Sequence, residues 1–257
     1  MSAISTWVTG LPAIAGLAAV AWLVSTLRRN VGLVDIFWSL FFLAAALTYA
    51  AFSPWTARSA LVLALVAVWA LRLAGYLAWR NWNAPEDHRY QAIRARNEPG
   101  FAWKSAYLVF GLQGLLAWAI AAPLAVAIGS AGAIGIAEML GAGVVLFGVA
   151  FEAVADAQLA RFKAQPESRG KVLDTGLWRY TRHPNYFGEF CVWWGFFAIA
   201  AAAGGAWTVF SPLLMSVLLL KVSGVALLER DIGERRPGYR EYVARTNAFF
   251  PGPRRPA

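Results

Sequence analysis

Long apolar segments follow one another along almost the whole chain, and they constrain its fold more than any other feature of the sequence. An α-helix needs about 20 apolar residues to cross a hydrocarbon core that is roughly 30 Å thick. The chain is 59% hydrophobic and only 14% charged, so such segments dominate it. We therefore predict an all-α fold, a polytopic membrane protein with a bundle of seven transmembrane helices in a single domain, residues 1–257. The predicted spans lie near residues 7–27, 33–52, 59–79, 105–129, 133–155, 187–204 and 206–228.

The basic residues indicate an orientation for these spans. Of the 23 Lys and Arg residues, 20 follow the first, third, fifth or seventh segment. Of the other three, Arg72 and Lys221 lie inside apolar segments, and Arg58 lies on the opposite side of the predicted membrane. Glu138 is also near that side and is expected to be solvated. Because cytoplasmic loops carry the excess of Lys and Arg, we predict a cytoplasmic C-terminus and an outside N-terminus, as in the inner membrane of a bacterium. The net charge of +9 then reflects topology and does not indicate a nucleic-acid partner.

Polar side chains are concentrated between residues 172 and 194, immediately before and within the sixth apolar segment. Arginine side chains bind phosphate in a bidentate manner, so a group of them on the predicted cytoplasmic side could hold a polyanionic cofactor. The same cations could instead attract anionic lipid headgroups. The polar residues of this stretch include Arg179, Arg182, His183, Asn185 and Glu189.

A few ionisable residues fall inside the predicted spans, where they are costly and face the bundle interior or a cavity. Asp35 and Arg72 lie near the predicted cytoplasmic ends of the second and third spans. They could form an ion pair that either takes part in catalysis or only fixes the packing of two helices. Glu152, Asp156 and Lys163 follow helical spacing, so one polar face is expected to run from the membrane into the loop.

Four segments of the chain resemble a bacterial family within the steroid 5α-reductase clan, and the resemblance extends over nearly the whole chain. It implies seven transmembrane helices, a cytoplasmic-facing cavity that holds NADPH, and a lipid-accessible pocket for an apolar substrate. No metal site is expected. The segments are RLAGYLAWR with EDHRYQAIR (72–94), FEAVADAQLARFK (151–163), GLWRYTRHPNYFGE (176–189) and LLERDIGERRPGYREYV (227–243).

The RHPNYFGE run is also similar to isoprenylcysteine carboxyl methyltransferases, which use S-adenosylmethionine and have an acidic, aromatic C-terminal segment. The cofactor is therefore expected to be NADPH, with S-adenosylmethionine as the alternative. By resemblance, the expected cofactor-binding residues are Glu152, Asp156, Arg161, Lys163, Tyr180, Arg182, His183, Asn185, Tyr186, Glu189, Glu229, Arg230 and Tyr239.

The catalytic positions also follow from the resemblance. Steroid 5α-reductases hold the substrate ketone with a Glu early in the second span and a Tyr on the third. The corresponding positions carry Asp35 and Trp69 here, with Tyr76 two turns further on. The expected catalytic residues are Asp35, Tyr76 and Arg72.

The sequence thus predicts an NADPH-dependent membrane reductase that transfers hydride to a conjugated or polarised double bond of a lipophilic, steroid-like or isoprenoid-like substrate. An S-adenosylmethionine-dependent membrane methyltransferase is the alternative. A third possibility is a lipid-binding or transport protein without enzymatic activity. Transporters more often place their ionisable groups near the bilayer midplane, which the long polar loops of this chain do not match.

Overall fold

The computed structural model describes residues 2–222, 225 and 238–255. Across these residues the chain is helical and contains no strand, so the prediction of an all-α fold is confirmed for this part. The helices in chain order are α1 (Ala3–Leu27), α2 (Val34–Ala51), α3 (Ala57–Asn81), α4 (His88–Asn97), α5 (Phe101–Ser105), α6 (Leu112–Ile120), α7 (Ala122–Gly129), α8 (Ile136–Ala164), α9 (Pro184–Ala202), α10 (Phe210–Val217) and α11 (Tyr239–Arg245).

Four of the described helices are long and apolar enough to cross a membrane. They are α1, α3, α8 and the continuous helix Val31–Ala51, which joins a 3₁₀ turn to α2. The bent pair Phe101–Ile120 and Ala122–Gly129 makes a fifth if it is counted as one span. These helices support a polytopic membrane protein, and the remaining two of the seven predicted spans stay a prediction.

The fourth predicted span is interrupted. α6 ends at Ile120, and α7 continues at an angle of 43° to it. Pro123 lies at the start of α7, and because proline has no backbone N–H it cannot continue the hydrogen-bond ladder of α6. α7 is buried almost throughout and packs against α1, α2 and α3.

The chain divides into two compact units, Met1–Glu138 with Ile199–Thr208, and Met139–Ala198 with Val209–Ala257. In the first unit the core is aromatic as well as aliphatic: Phe41, Phe42 and Trp69 are fully buried, and Phe42 meets Trp69 edge-on at 5.6 Å between ring centroids.

In the second unit α8 and α9 approach each other through glycine. A Cβ atom on Gly148 would lie 2.5 Å from the carbonyl oxygen of Gly188, and one on Gly195 would lie 2.8 Å from the carbonyl oxygen of Gly141. Any side chain at these positions would push the helices apart. The glycines recur every seven residues on each helix, so one continuous seam of backbone contact joins α8 to α9.

Exposed aromatic residues lie at both ends of α3. Phe52 and Trp55 precede the helix, and Trp79 and Trp82 lie at its other end, all of them exposed. At the rise of an α-helix, the distance from Trp55 to Trp79 would be about 36 Å. This is enough to cross a hydrocarbon core roughly 30 Å thick and to reach the interface on each side. Tryptophan is enriched at such interfaces, so this distribution supports a membrane-spanning position for α3.

The expectation that Glu138 is solvated is wrong. Its side chain is buried, and one carboxylate oxygen lies 2.8 Å from the Arg58 guanidinium. Arg58 also donates to the carbonyl oxygens of Ala131 and Ala133 at 3.1 and 2.9 Å, so it holds the turn between α7 and α8. A cation that the sequence assigned to the outer surface is therefore neutralised inside the first unit, which leaves that surface poorer in positive charge than the sequence suggests.

We predict that Arg58→Ala lowers the apparent unfolding temperature of the purified protein by on the order of 5 °C or more, because it leaves a buried carboxylate and several carbonyl groups without a cation. A thermal unfolding scan in detergent measures the change. Arg96→Ala, which removes an exposed arginine from α4, is the matched control and should leave the temperature unchanged. Equal unfolding temperatures for the two variants would contradict a stabilising role for Arg58.

Candidate functional site

The first group of polar residues surrounds Asp35, in the first turn of α2. Its carboxylate accepts a hydrogen bond of 2.5 Å from the Tyr90 hydroxyl and one of 3.0 Å from the Arg89 guanidinium. The Gln113 side-chain amide donates to the Tyr90 hydroxyl oxygen at 3.3 Å. We call Asp35, Arg89, Tyr90 and Gln113 the Asp35 cluster. It joins the start of α2 to α4 and α6.

The cation at hydrogen-bonding distance from Asp35 is Arg89, whereas the sequence suggested Arg72. Although burial opposes a charged guanidinium, the Asp35 carboxylate raises the pKa of Arg89, so the cation stays protonated. Burial, reinforced by the negative charge of Asp35, raises the pKa of Tyr90 well above its usual value of 10. The phenol therefore keeps its proton at physiological pH and offers it toward the carboxylate.

Arg72 and Tyr76 lie on α3, and both side chains are partly buried. The Arg80 guanidinium lies 5.4 Å from the centre of the Tyr76 ring, and the Trp79 ring lies 6.1 Å from it. The assignment of Arg72 and Tyr76 as catalytic residues stays a prediction. Tyr90, which sequence reasoning did not select, contacts Asp35 directly.

Glu86 fixes the start of α4, which carries Arg89 and Tyr90, against the residues that precede α2. Its carboxylate accepts the Val31 backbone N–H at 2.7 Å and two hydrogen bonds from Arg94 at 2.8 and 2.9 Å. The Tyr90 ring also packs against Gly32, where a Cβ atom would lie 3.3 Å from the ring. The sequence contained a signal for this arrangement, because Glu86 and Arg94 frame the segment EDHRYQAIR, but the partner at Val31 is distant in the chain.

The second group of polar residues lies in the second unit, on α8 and at the start of α9. Glu152, Asp156, His183 and Glu189 are all buried, with exposed fractions of 3 to 8%. At the glycine seam the backbone of α9 contacts that of α8 beside Glu152, because a Cβ atom on Gly188 would lie 2.8 Å from the Glu152 backbone nitrogen. We call these four residues the α8–α9 polar group.

The other predicted cofactor residues differ in exposure. Arg161 and Lys163 are exposed on the last turns of α8, and Tyr180 is 47% exposed. Asn185 and Tyr186 are partly buried, and the Tyr186 ring stacks on His183 at 5.7 Å between ring centroids. Tyr239 is buried in α11. Glu229 and Arg230 lie outside the described residues.

The residues before α9 bind the C-terminal segment 238–255. The Arg182 guanidinium donates to the carbonyl oxygen of Thr246 at 2.6 Å, at the C-terminal end of α11. The Thr181 hydroxyl donates to the Phe249 carbonyl oxygen at 2.7 Å, and the Tyr242 hydroxyl donates to the Trp178 carbonyl oxygen at 2.5 Å. Arg182 therefore caps a helix, a role that the sequence did not indicate.

The turn just before these residues is fixed on α8. Gly176 has a φ of 60°, in the region that favours glycine, and a Cβ atom there would collide with the Gln158 side chain at 2.5 Å. The Gln158 side chain accepts the Leu177 backbone N–H at 3.0 Å, and the Trp178 indole donates to the Ala155 carbonyl oxygen at 3.2 Å. This docking holds residues 176–183 beside the buried carboxylates of α8.

Two donors in this part of the second unit have no hydrogen-bond partner within the described residues. They are the Thr246 hydroxyl and the Arg254 Nε, both buried atoms. A different nitrogen of Arg254 forms an ion pair with Asp174 at 2.5 Å. Such donors suit an anionic ligand, and sequence reasoning selected neither residue.

The comparisons with known proteins agree with the coarser part of the resemblance. The profile of the family described as protein of unknown function DUF1295 matches residues 21–246. The chain belongs to this family. The family lies in the steroid 5α-reductase-like group.

A curated relative also matches. It is the uncharacterized protein C594.04c of Schizosaccharomyces pombe, which is 28% identical over 271 aligned residues covering 91% of this chain and 76% of the yeast protein. No solved structure matches the chain.

We predict that Glu86→Gln loosens the attachment of α4, which carries Tyr90. A neutral amide replaces a carboxylate that accepts two hydrogen bonds from Arg94, so amide hydrogen exchange in α4 and at residues 31–33 should accelerate by about tenfold. Glu98→Gln is the matched control, because Glu98 is half exposed and lies 4.0 Å from Arg94. Equal exchange in the two variants would contradict the role of Glu86.

The local stability of α4 should also depend on pH. Burial raises the pKa of Glu86, but the bonds from Arg94 and Val31 outweigh it and hold that pKa below the ordinary value of 4.5. A carboxyl with a lowered pKa in the folded state contributes stability that is complete above pH 4.5 and is lost as the pH falls through the lower folded value. Protection of α4 against exchange should therefore be constant above pH 4.5 and decline below it.

Proposed function

We propose that this protein is a membrane oxidoreductase that transfers hydride from NADPH to a conjugated or polarised double bond of a lipophilic, steroid-like or isoprenoid-like substrate. The observation that carries the proposal is the 2.5 Å contact between the Tyr90 hydroxyl and the Asp35 carboxylate at the start of a membrane-length helix. Membership of a family in the steroid 5α-reductase-like group supports it.

Reduction of a conjugated ketone requires a hydrogen-bond or proton donor at the carbonyl oxygen while hydride reaches the β-carbon. Tyr90 has the properties of such a donor, since it is buried and keeps its proton at physiological pH. Asp35 orients the phenol, and Arg89 compensates the charge of Asp35. Methyl transfer to an anionic acceptor needs no proton donor, so this arrangement favours the reductase over an S-adenosylmethionine-dependent methyltransferase.

The second unit offers groups that fit a nucleotide cofactor. The Thr246 hydroxyl and the Arg254 Nε, which lack a partner among the residues that the structure describes, suit phosphate oxygens, as do the exposed cations Arg161 and Lys163. The buried carboxylates of the α8–α9 polar group suit ribose hydroxyl groups, which donate hydrogen bonds to acidic side chains in other nucleotide sites. NADPH would supply the hydride when bound.

We further propose that the protein lies in the inner membrane of a bacterium with the ends of α3 and α8 that carry these groups in the cytoplasm. The distribution of the 20 basic residues on alternate loops supports this orientation. The burial of Arg58 against Glu138 strengthens the charge asymmetry, because it removes a cation from the opposite surface.

The cofactor is tested by ligand-dependent stability. NADPH at 100 times its dissociation constant should stabilise the detergent-solubilised protein by roughly 2.7 kcal/mol, and S-adenosylmethionine should not. Arg161→Ala should weaken NADPH binding by about tenfold through loss of a phosphate contact, whereas Arg169→Ala, an exposed arginine beyond α8, should not. Stabilisation by S-adenosylmethionine but not by NADPH would contradict the reductase hypothesis and support the methyltransferase hypothesis.

The chemistry is tested by two isosteric variants. Tyr90→Phe removes the proton donor and Asp35→Asn removes the charge that orients it, so each should lower turnover by about 10²-fold with NADPH affinity nearly unchanged. Tyr107→Phe, at a position 62% exposed, is the control. Oxidation of NADPH in the presence of a panel of lipophilic enones provides the measurement. Normal turnover in Tyr90→Phe with lowered thermal stability would give the Asp35 cluster a purely structural role.

A further inference from the structure

A groove in the first unit lies between α1 and the helix that runs from α5 to α6. Its volume is about 360 Å³, within the range of small-molecule sites. The lining is almost entirely apolar and rich in small residues. Among the lining residues, Ala15, Ala19 and Leu115 are exposed, so the groove opens toward the surface of α1, which is long enough to span a membrane, and of the first helix of the bent pair.

Tryptophan contacts join the two helices beyond each end of the groove. At one end Trp7 and Trp118 stack at 4.4 Å, and each indole donates a hydrogen bond to the other residue's carbonyl oxygen, at 2.8 and 3.1 Å. At the other end the Trp22 indole donates to the Ala102 carbonyl oxygen at 2.8 Å, and its ring lies 5.1 Å from Trp103. These contacts fix the spacing of the helices, so the groove is a built feature.

The space between these contacts follows from the local sequence. Residues Ala106–Gly111 form a π-helical turn, which carries more residues per turn than an α-helix and bulges from it. The opposing face of α1 presents Ala15, Ala18 and Ala19, which are too small to fill the gap. The groove is separate from the Asp35 cluster, because Gln113 donates a hydrogen bond within that cluster and does not line the groove.

The length of the groove matches one leaflet of a bilayer. From Leu11 to Trp22 an α-helix rises about 16 Å, and half of a hydrocarbon core roughly 30 Å thick is about 15 Å. Trp22 lies at the end nearer the exit of α1, where a tryptophan suits the interface. The dimensions therefore fit a hydrocarbon chain that enters at Trp22 and ends near the bilayer centre.

Cations lie just beyond the Trp22 end. Arg28 and Arg29 follow the last residue of α1, and Lys104 lies in α5 next to Trp103. Arg28 is engaged with Trp82, donating to its carbonyl oxygen at 2.9 Å. The side chain of Arg29 is exposed and makes no hydrogen bond or ion pair with any part of the chain that the structure describes. Arg29 follows Trp22 by seven residues, on the side of the groove where the headgroup of a lipid with its chain in the groove is expected.

We propose that this groove binds an acyl chain of an anionic phospholipid from the leaflet on the Arg29 side, with Arg29 contacting the headgroup. Length, apolar lining and charge complementarity at one end carry the assignment. It is independent of the proposed reductase activity, because it involves neither the Asp35 cluster nor the α8–α9 polar group.

Photo-cross-linking tests the proposal in vesicles of phosphatidylcholine that contain a trace of phosphatidylglycerol with a diazirine on its acyl chain. Cross-linked peptides should map to residues 11–22 and 106–115. Ala19→Phe fills the groove and should reduce this cross-linking by about tenfold. Val20→Phe is the matched control, since Val20 is 52% exposed on the same helix outside the groove lining, and it should cross-link like the wild type.

The headgroup is tested separately. With the same diazirine chain on phosphatidylcholine, cross-linking in the groove should be several-fold weaker than with phosphatidylglycerol, and Arg29→Gln should abolish the difference while Arg96→Gln preserves it. Equal cross-linking of Ala19→Phe and Val20→Phe would overturn the groove as the binding site. A headgroup preference unchanged in Arg29→Gln would overturn the role of Arg29.

Discussion

Partial burial of the Asp35 carboxylate, whose side chain is 23% exposed, is the constraint on which the arrangement of the first unit's polar end depends. A carboxylate in the first turn of an otherwise apolar helix needs a cation and hydrogen-bond donors at fixed positions, since leaving it unpaired would cost several kcal/mol. Arg89 and Tyr90 meet this need from adjacent positions at the start of α4. Adjacent side chains on a helix diverge, so both can reach one carboxylate only if α4 lies close to the start of α2. Glu86 holds α4 in this position by accepting the Val31 backbone N–H.

The same arrangement determines how acidic the Tyr90 phenol of the Asp35 cluster is. A phenol that is buried beside a negative charge is a weak acid, as the raised pKa of Tyr90 reflects. Its acidity would increase if a substrate or a conformational change drew the Asp35 charge toward Arg89. Gln113, which donates to the phenol oxygen, stabilises negative charge on that oxygen once the proton has moved. In the proposed reductase, one amide, one phenol and one ion pair would together form the proton-donating unit.

The sequence allowed the helical class and the presence of several long apolar helices to be predicted because these depend on local hydropathy and on a period of 3.6 residues. It also allowed Glu152 and Asp156 to be assigned to one face of α8, and both are buried there. Partners across loops were not predictable in the same way. Arg72 was a reasonable partner for Asp35 by depth in the membrane, but Arg89 reaches it because the loop folds back onto α2.

Other features were encoded in the sequence but were not recognised. Pro123 marks the break between α6 and α7, although the surrounding apolar run hides it. The seven-residue spacing of Gly141 with Gly148 and of Gly188 with Gly195 encodes the α8–α9 seam. Glu138 was assigned to solvent because it lies near a helix end, and only the path of the preceding turn brings Arg58 to it.

The position of Arg182 explains why its motif does not identify the cofactor. By resemblance the motif points to two enzyme classes that use different cofactors, whereas in this structure Thr181 and Arg182 bind backbone carbonyl groups of the C-terminal segment. A residue that holds the chain in place is needed whichever cofactor the site binds. Arg182 therefore does not distinguish the two enzyme classes. The choice between hydride and methyl transfer then depends on groups that only one reaction requires. A buried phenol that a carboxylate orients is such a group, and for that reason the proposed reductase rests on the Asp35 cluster more than on the longer motif.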